Sequence, residues 1–209
     1  DIPSDGRPLD SATQARVKAF RRNLGTKGWL APSWPQKYGG GGLSLPLEAI
    51  VQEEIKRLRL PTLGDNHRWI PAIMVWGTEE QKQRYVVPTL RGETITWQAF
   101  NEPNAGSDLA SIRTQAVRDG LDYLITGVKG FVTGRFNPDY LCTIAMTDPS
   151  RPPRFNLGIF MIDAHLPGIT FTTQNLLVGS ERRISLHNVR VSSDCLIGGP
   201  YLGWEIAQN

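Results

Sequence analysis

Thr96-Trp-Gln-Ala-Phe-Asn-Glu-Pro-Asn-Ala-Gly-Ser-Asp108, with its sequel Gly127-Val-Lys-Gly-Phe-Val-Thr133, is the stretch on which the fold turns. From Thr94 to Asn101 the residues are β-branched and aromatic, types that suit a pleated, half-buried surface. The strand breaks at Glu102-Pro103 and passes into Asn104-Ala105-Gly106-Ser107-Asp108. There Gly106 can supply a positive φ, and Ser107 and Asp108 can bond nearby backbone amides or offer them to a ligand. A strand ending in such a loop holds polar groups beside a bound molecule, although a Gly-Ser-Asp turn alone is also an ordinary hairpin loop.

Outward from this stretch the hydrophobic period changes. Beyond it, alternating runs at Ile112–Arg118, Tyr123–Val128, Tyr140–Thr147, Leu157–Asp163, Ile169–Thr173 and Ile184–Val191 are separated by Gly, Pro, Asn and Asp. Such spacing without intervening helices predicts a closed or sandwich-like antiparallel β-barrel over residues 94–198. Upstream, residues 1–93 read as helical. Ser11 is placed as an N-cap for a helix ended by Gly25, and a second helix runs from Pro46 to Leu60. A third, from Arg68 to Trp76, precedes Thr78-Glu-Glu-Gln81, which has the form of a capping box. Pro88 interrupts the helix that follows. The class is therefore α+β, a helical part followed by a sheet. Residues 199–209 begin a further amphipathic helix, too short to be stable alone, and the chain reads as cut there.

Composition excludes several classes. The 209 residues are 40% hydrophobic and 21% charged, ordinary globular material. No apolar run approaches the ~18 residues of a membrane span. A net charge of +3 with no dense basic block gives no support to nucleic-acid binding. Cys142 and Cys195 lie far apart and fit neither a metal pattern nor a disulfide framework, which points to reduced thiols and a cytoplasmic protein. His67 has no ligand partners, so no metal site is expected. The run Gly39–Gly42 lacks the Lys-Ser/Thr pair of a phosphate loop and reads as a turn. Glu53 and Glu54, beside Lys56, Arg57 and Arg59, read as a solvated helix face.

Taken in order, Gly28-Trp29, Trp34-Pro35, Tyr38-Gly39-Gly40, Gly42-Leu43, Glu54 and Gly77-Thr-Glu-Glu-Gln-Lys82 resemble the N-terminal helical domain of the acyl-CoA dehydrogenases. Glu102-Pro103, Ala105-Gly-Ser-Asp-Leu109, Thr114, Gly127, Lys129, Thr133, Pro167-Gly168, Val189-Arg-Val191 and Gly203-Trp204 resemble that family's middle β-domain and the entry to its third domain. The resemblance covers essentially the whole chain.

It implies FAD as cofactor, an acyl-CoA substrate oxidised to the trans-2-enoyl-CoA, an electron-transfer flavoprotein or similar acceptor, and a homotetrameric or homodimeric full-length protein. It also implies a C-terminal four-helix bundle, missing here, that carries the catalytic glutamate. No catalytic residue is therefore assigned in this chain, and the 209-residue piece is expected to be inactive alone. Carried over by position, Gln98, Phe100, Asn101, Gly106, Ser107, Phe131, Val132 and Thr133 are the flavin-contacting residues, and Ser107 also approaches the substrate. Asn101 stands where the family usually has Thr or Ser, and Phe131 where it usually has Trp. Those departures keep two alternatives open: a flavin monooxygenase or oxidase of the same superfamily, and a non-catalytic partner subunit of a heteromeric dehydrogenase. Arg182 and Arg183 are read as solvated charge in preference to CoA-phosphate ligands.

Overall fold

The computed structural model describes residues 9–58, 60, 66–132, 136–175 and 180–208. Thr133, expected at the flavin, lies outside them, as does Arg59. Helix α1 (Ser11–Thr26) starts one residue earlier than expected: Asp10, not Ser11, is the N-cap, its carboxylate accepting from the Thr13 amide at 2.9 Å. Helix α2 (Leu45–Arg57) and helix α3 (Asn66–Trp76) follow. The four glycines between α1 and α2 have no spare amides for a phosphate. Gly39, Gly40, Gly41 and Gly42 donate to the carbonyls of Gln36, Pro35, Ala31 and Trp34.

The capping box forms as expected. The Gln81 amide donates to Thr78 Oγ1, and the Gln81 side chain accepts from the Thr78 amide. The helical segment it starts is not broken at Pro88. It runs as α4 (Glu79–Gln81), a π turn over Lys82–Val86 and α5 (Val87–Leu90), with the Val87 amide bonding Lys82 O. Pro88 has no N–H and its ring would crowd the carbonyl four residues back; widening the preceding turn relieves both problems without ending the helix.

The strands are β1 (Thr96–Ala99), β2 (Gln115–Asp119), β3 (Asp122–Val132), β4 (Tyr140–Met146), β5 (Leu157–Asp163), β6 (Ile169–Asn175), β7 (Ser180–Ser192) and β8 (Leu196–Ile197). They make one sheet in the order β6-β7-β3-β2-β4-β5-β8, with β1 added beside β4. The sheet is mixed, not purely antiparallel: β1 pairs parallel with β4 across Thr96–Tyr140 to Ala99–Thr143, and β2 touches β4 in parallel at Gln115–Met146. Parallel pairing needs a long crossover, and the β2–β3 hairpin between β1 and β4 provides one.

Two apolar clusters result. Ile125, Leu141, Phe160, Ile162, Ile184 and Val189 fill the sheet's own core. Ile70, Ile73, Tyr85, Leu90, Ile144, Met161 and Ile206 join the helices to the sheet. The two parts are also stapled by Gln81, whose Nε2 donates to Asp194 O and Leu196 O, each at 2.8 Å. The short C-terminal helix α6 (Gly203–Ala207) is pinned onto β5. A Cβ on Gly203 would stand 2.7 Å from the Leu157 carbonyl carbon, and the Arg154 guanidinium lies 4.6 Å from the Trp204 ring centroid. That is how so few residues hold a helical turn. Cys142 and Cys195 are free and buried. Among the described residues no helix is long and apolar enough to cross a membrane, and no three His, Cys, Asp or Glu side chains converge as metal ligands.

Candidate flavin cleft

Two irregularities in the pairing of β3 with β7 shape the site. Near its end, Lys129 pairs with Ile184 and Val132 with Arg182, so Gly130 and Phe131 together oppose a single residue, Arg183. A bulge re-aims side chains. Here Phe131 adopts φ +56 and stands 54% exposed, where strict alternation would put it on the same face as buried Lys129. A bulky residue in the left-handed region costs on the order of 1–3 kcal/mol and persists only where its surroundings impose it. The other irregularity, between Ile125 and Gly127, brings β3 against the end of the loop before β2. A Cβ on Gly127 would lie 2.3 Å from Thr114 Oγ1.

The bulge is tied to the strand-and-loop that follows β1. The Gly130 amide donates to Asn101 O at 2.9 Å. Beneath it runs a buried polar strut. Lys129, fully buried, places Nζ 2.9 Å from Glu102 Oε1 and 3.2 Å from Phe100 O. The Glu102 carboxylate also accepts from the backbone amides of Arg113 at 2.7 Å and Thr114 at 2.9 Å. Burial works against ionising Glu102, but the Lys129 charge and the bonds from Thr114 and Arg113 outweigh it and hold its pKa below the ordinary value. Burial pushes the Lys129 ammonium down to about 8, partly offset by Glu102. At neutral pH both are ionised, and β1, the loop and β3 are locked together.

Above this strut lies a cleft of about 360 Å³, within the size range of small-molecule sites. Six of the eight residues expected at the flavin line it: Gln98, Phe100, Asn101, Gly106, Phe131 and Val132. Ser107 is exposed and is not among the lining residues. Trp97, Leu109 and Arg68 line it too and were not foreseen. Trp97 belongs to the quoted strand, where it was one of the aromatic residues suited to a pleated surface and carried no site assignment. Arg68 comes from α3, and no helical period could have aimed it here. Arg182 lies 5.9 Å over the Trp97 ring, so it is engaged at the sheet and not simply solvated.

Comparison with known proteins gives this arrangement its relatives. The family described as acyl-CoA dehydrogenase, N-terminal domain, matches residues 7–93, and its middle domain matches residues 98–191. The chain belongs to the acyl-CoA dehydrogenase family. Acyl-CoA dehydrogenase FadE34 of Mycobacterium tuberculosis is 34% identical over 97% of this chain and 30% of the relative. Among solved structures, the Tcur3481-Tcur3483 steroid ACAD superposes with a TM-score of 0.86 at 29% identity, over 98% of this chain and 53% of that one. The ChsE4-ChsE5 complex from M. tuberculosis gives 0.83 at 27% identity, over 95% and 52%. The chain thus spans between 30% and 53% of the length of these proteins.

The cleft's donor set fits an isoalloxazine. Gln98 and Asn101 carry side-chain amides that both donate and accept, as the pyrimidine edge of a flavin requires. Phe131 and Trp97 offer aromatic surface. Gly106 leaves open space, with nothing within 4 Å of where its Cβ would stand.

Proposed function

We propose that this chain supplies the N-terminal and middle parts of an FAD-dependent acyl-CoA dehydrogenase, which oxidises an acyl-CoA to the trans-2-enoyl-CoA. What supports the reading is the convergence of Gln98, Phe100, Asn101, Gly106, Phe131 and Val132 on one cleft, in a chain whose family is known. Bound there, FAD supplies the hydride acceptor. Gln98 and Asn101 orient its polar edge, Phe131 supports a ring face, and the Glu102–Lys129 strut fixes the loop that carries Asn101. Thr133 and Ser107 complete the proposed contacts, with Ser107 also facing substrate.

The base that removes the α-proton comes from elsewhere in the full-length protein. Among the described residues no Asp or Glu lines the cleft. The nearest carboxylate in sequence, Glu102, is spent on Lys129 and two amides, and its depressed pKa makes it a poor proton acceptor. Electrons leave to an electron-transfer flavoprotein or a similar acceptor. In the full-length protein a helical domain outside these residues closes the cleft.

The test is to express the full-length protein carrying this segment, and the 209-residue chain beside it, and to measure flavin per chain and acyl-CoA-dependent bleaching of the flavin. Stoichiometric FAD with turnover in the first, and weak flavin binding without turnover in the second, is the expected pair of results. Turnover by the 209-residue chain would refute the placement of the base. A second reading, a subunit that shares its site with a homologous partner, is favoured by one observation: the structural relatives include a complex of two named chains, ChsE4 and ChsE5. Flavin below one per chain, with a co-purifying homologue, would select it.

A further inference from the structure

Arg182 is a charge on the inner face of the sheet. Along β7, Arg182, Ile184 and Leu186 point one way. Ile184 and Leu186 are buried in the sheet's core, while Arg183 points out and is exposed. Across the ladder Arg182 faces Thr173 of β6 on one side and Val132 of β3 on the other. Its guanidinium rests over the Trp97 ring, which Phe171 meets edge-on at a centroid separation of 5.6 Å. Val132 and Trp97 both line the cleft, so Arg182 stands behind that wall.

The partners of this guanidinium are neutral. Nη1 donates to Thr173 Oγ1, Nε is buried with no acceptor, and the Trp97 face attracts a cation without cancelling its charge. Among the described residues Arg182 makes no ion pair, in contrast to Lys129, whose charge Glu102 offsets at 2.9 Å. A guanidinium stays protonated at every pH at which the protein is folded. Strand pairing and an aromatic ring therefore hold a positive charge behind the cleft wall. A field of this sign discriminates between charge states of a bound molecule. The oxidised isoalloxazine is neutral; a hydride brings it two electrons and one proton, and so leaves one negative charge on the ring system.

We propose that Arg182 tunes the bound flavin, raising its reduction potential by favouring the anionic reduced ring over the neutral oxidised one. The assignment rests on the flavin-cleft reading above. A charge roughly 10 Å from a ligand, at an effective dielectric of about 20, shifts an equilibrium that creates one unit charge by about tenfold. For a two-electron couple that is about 30 mV. An inward charge beside an edge strand also discourages edge-to-edge pairing, but that role alone would leave the potential untouched.

The experiment uses the full-length protein and three variants. Arg182→Gln removes the charge and keeps a donor for Thr173, Arg182→Met removes both, and Arg182→Lys keeps the charge. FAD content and melting temperature are measured for each, with the flavin midpoint potential and the dissociation constant for sulfite. Sulfite bonds through sulfur to flavin N5 and leaves negative charge on the ring, so it reports the same field without turnover. Expected in Arg182→Gln and Arg182→Met are a potential lower by about 30 mV and sulfite binding about tenfold weaker, with Arg182→Lys close to the unsubstituted protein. A shift below about threefold, about 15 mV, in FAD-loaded neutral variants overturns the assignment and leaves the cleft reading intact; a carboxylate from elsewhere in the full-length protein that neutralises Arg182 would give this result. Equal losses in Arg182→Lys and the neutral variants overturn it too, by making the effect one of packing. Loss of FAD from both neutral variants makes Arg182 a cofactor anchor and likewise overturns it. Absence of FAD from the unsubstituted protein sinks the cleft reading and this inference with it.

Discussion

Replacing Glu102 by Leu removes the acceptor at the centre of the buried strut. Lys129, with no side-chain exposure, is left as an unpaired charge, and the Thr114 amide loses its partner. Removing one member of a buried ion pair costs about 3–5 kcal/mol, and an orphaned buried donor about 1–3 kcal/mol. The two losses share a network and do not simply add, so about 4 kcal/mol is expected. Domains are commonly stable by only about 5–15 kcal/mol. In urea, with a slope of about 2–3 kcal/mol/M, the tryptophan-fluorescence midpoint should fall by roughly 1.5 M. The double variant Glu102→Leu/Lys129→Met removes both charges and should recover about 2 kcal/mol of that loss, because apolar replacement of a buried pair is often neutral. A single-variant loss below about 1 kcal/mol, the range of solvated surface pairs, would refute the argument. So would a double variant whose loss equals the sum of the two singles.

The same carboxylate gives a pH dependence. Its folded-state pKa lies below the ordinary 4.5, so as pH falls the unfolded chain takes up this proton first. The stabilisation is complete above that range and is lost as pH drops through the folded value; acid titrations of the melting temperature should be flatter for Glu102→Gln. Phe131→Gly relieves the φ +56 strain at an entropic cost of about 0.5–1 kcal/mol. Thermal melts should show neutral or slightly higher stability, while flavin affinity in the full-length protein falls about 3- to 10-fold with the lost aromatic face; a stability loss above about 1 kcal/mol would instead make Phe131 a core residue. Gln81→Leu orphans the carbonyls of Asp194 and Leu196 and should cost about 1–3 kcal/mol in a denaturant melt, more than Thr78→Ala, which removes a cap worth about 1 kcal/mol.

Much of this was legible because the local signals agree with the global arrangement. The alternating runs became β2 to β7 within a few residues, and Thr78-to-Gln81 fixes a helix start by chemistry confined to four residues. The cleft residues were legible through family resemblance, since a Gly-Ser-Asp turn names no ligand by itself. What escaped the sequence depends on partners distant in the chain. Whether β1 runs parallel to β4 is decided by the hairpin inserted between them. Phe131 looks like an ordinary strand residue until the shifted register with Arg182 is known, and only Gly130 beside it hinted at a bulge. Arg68 belongs to another layer, so its arrival at the cleft is a fact of packing between helices and sheet. The π turn at Lys82–Val86 was hidden because Pro88 usually ends a helix and here only widens one.

The parallel seat of β1 beside β4 has a consequence for synthesis. Tyr140–Thr143, the partners of Thr96–Ala99, are translated some forty residues later, and the loop after β1 hangs from β3 and from Arg113, just ahead of β2, as well. Emerging from the ribosome, the strand that carries Gln98, with the loop that carries Asn101 behind it, must wait unmated until the hairpin and β4 are out. Long-range closures of this kind are slow and expose sticky edges meanwhile. The candidate cleft is thus left open until strands well downstream are made, and chaperone demand during translation should be raised in the interval between β1 and β4.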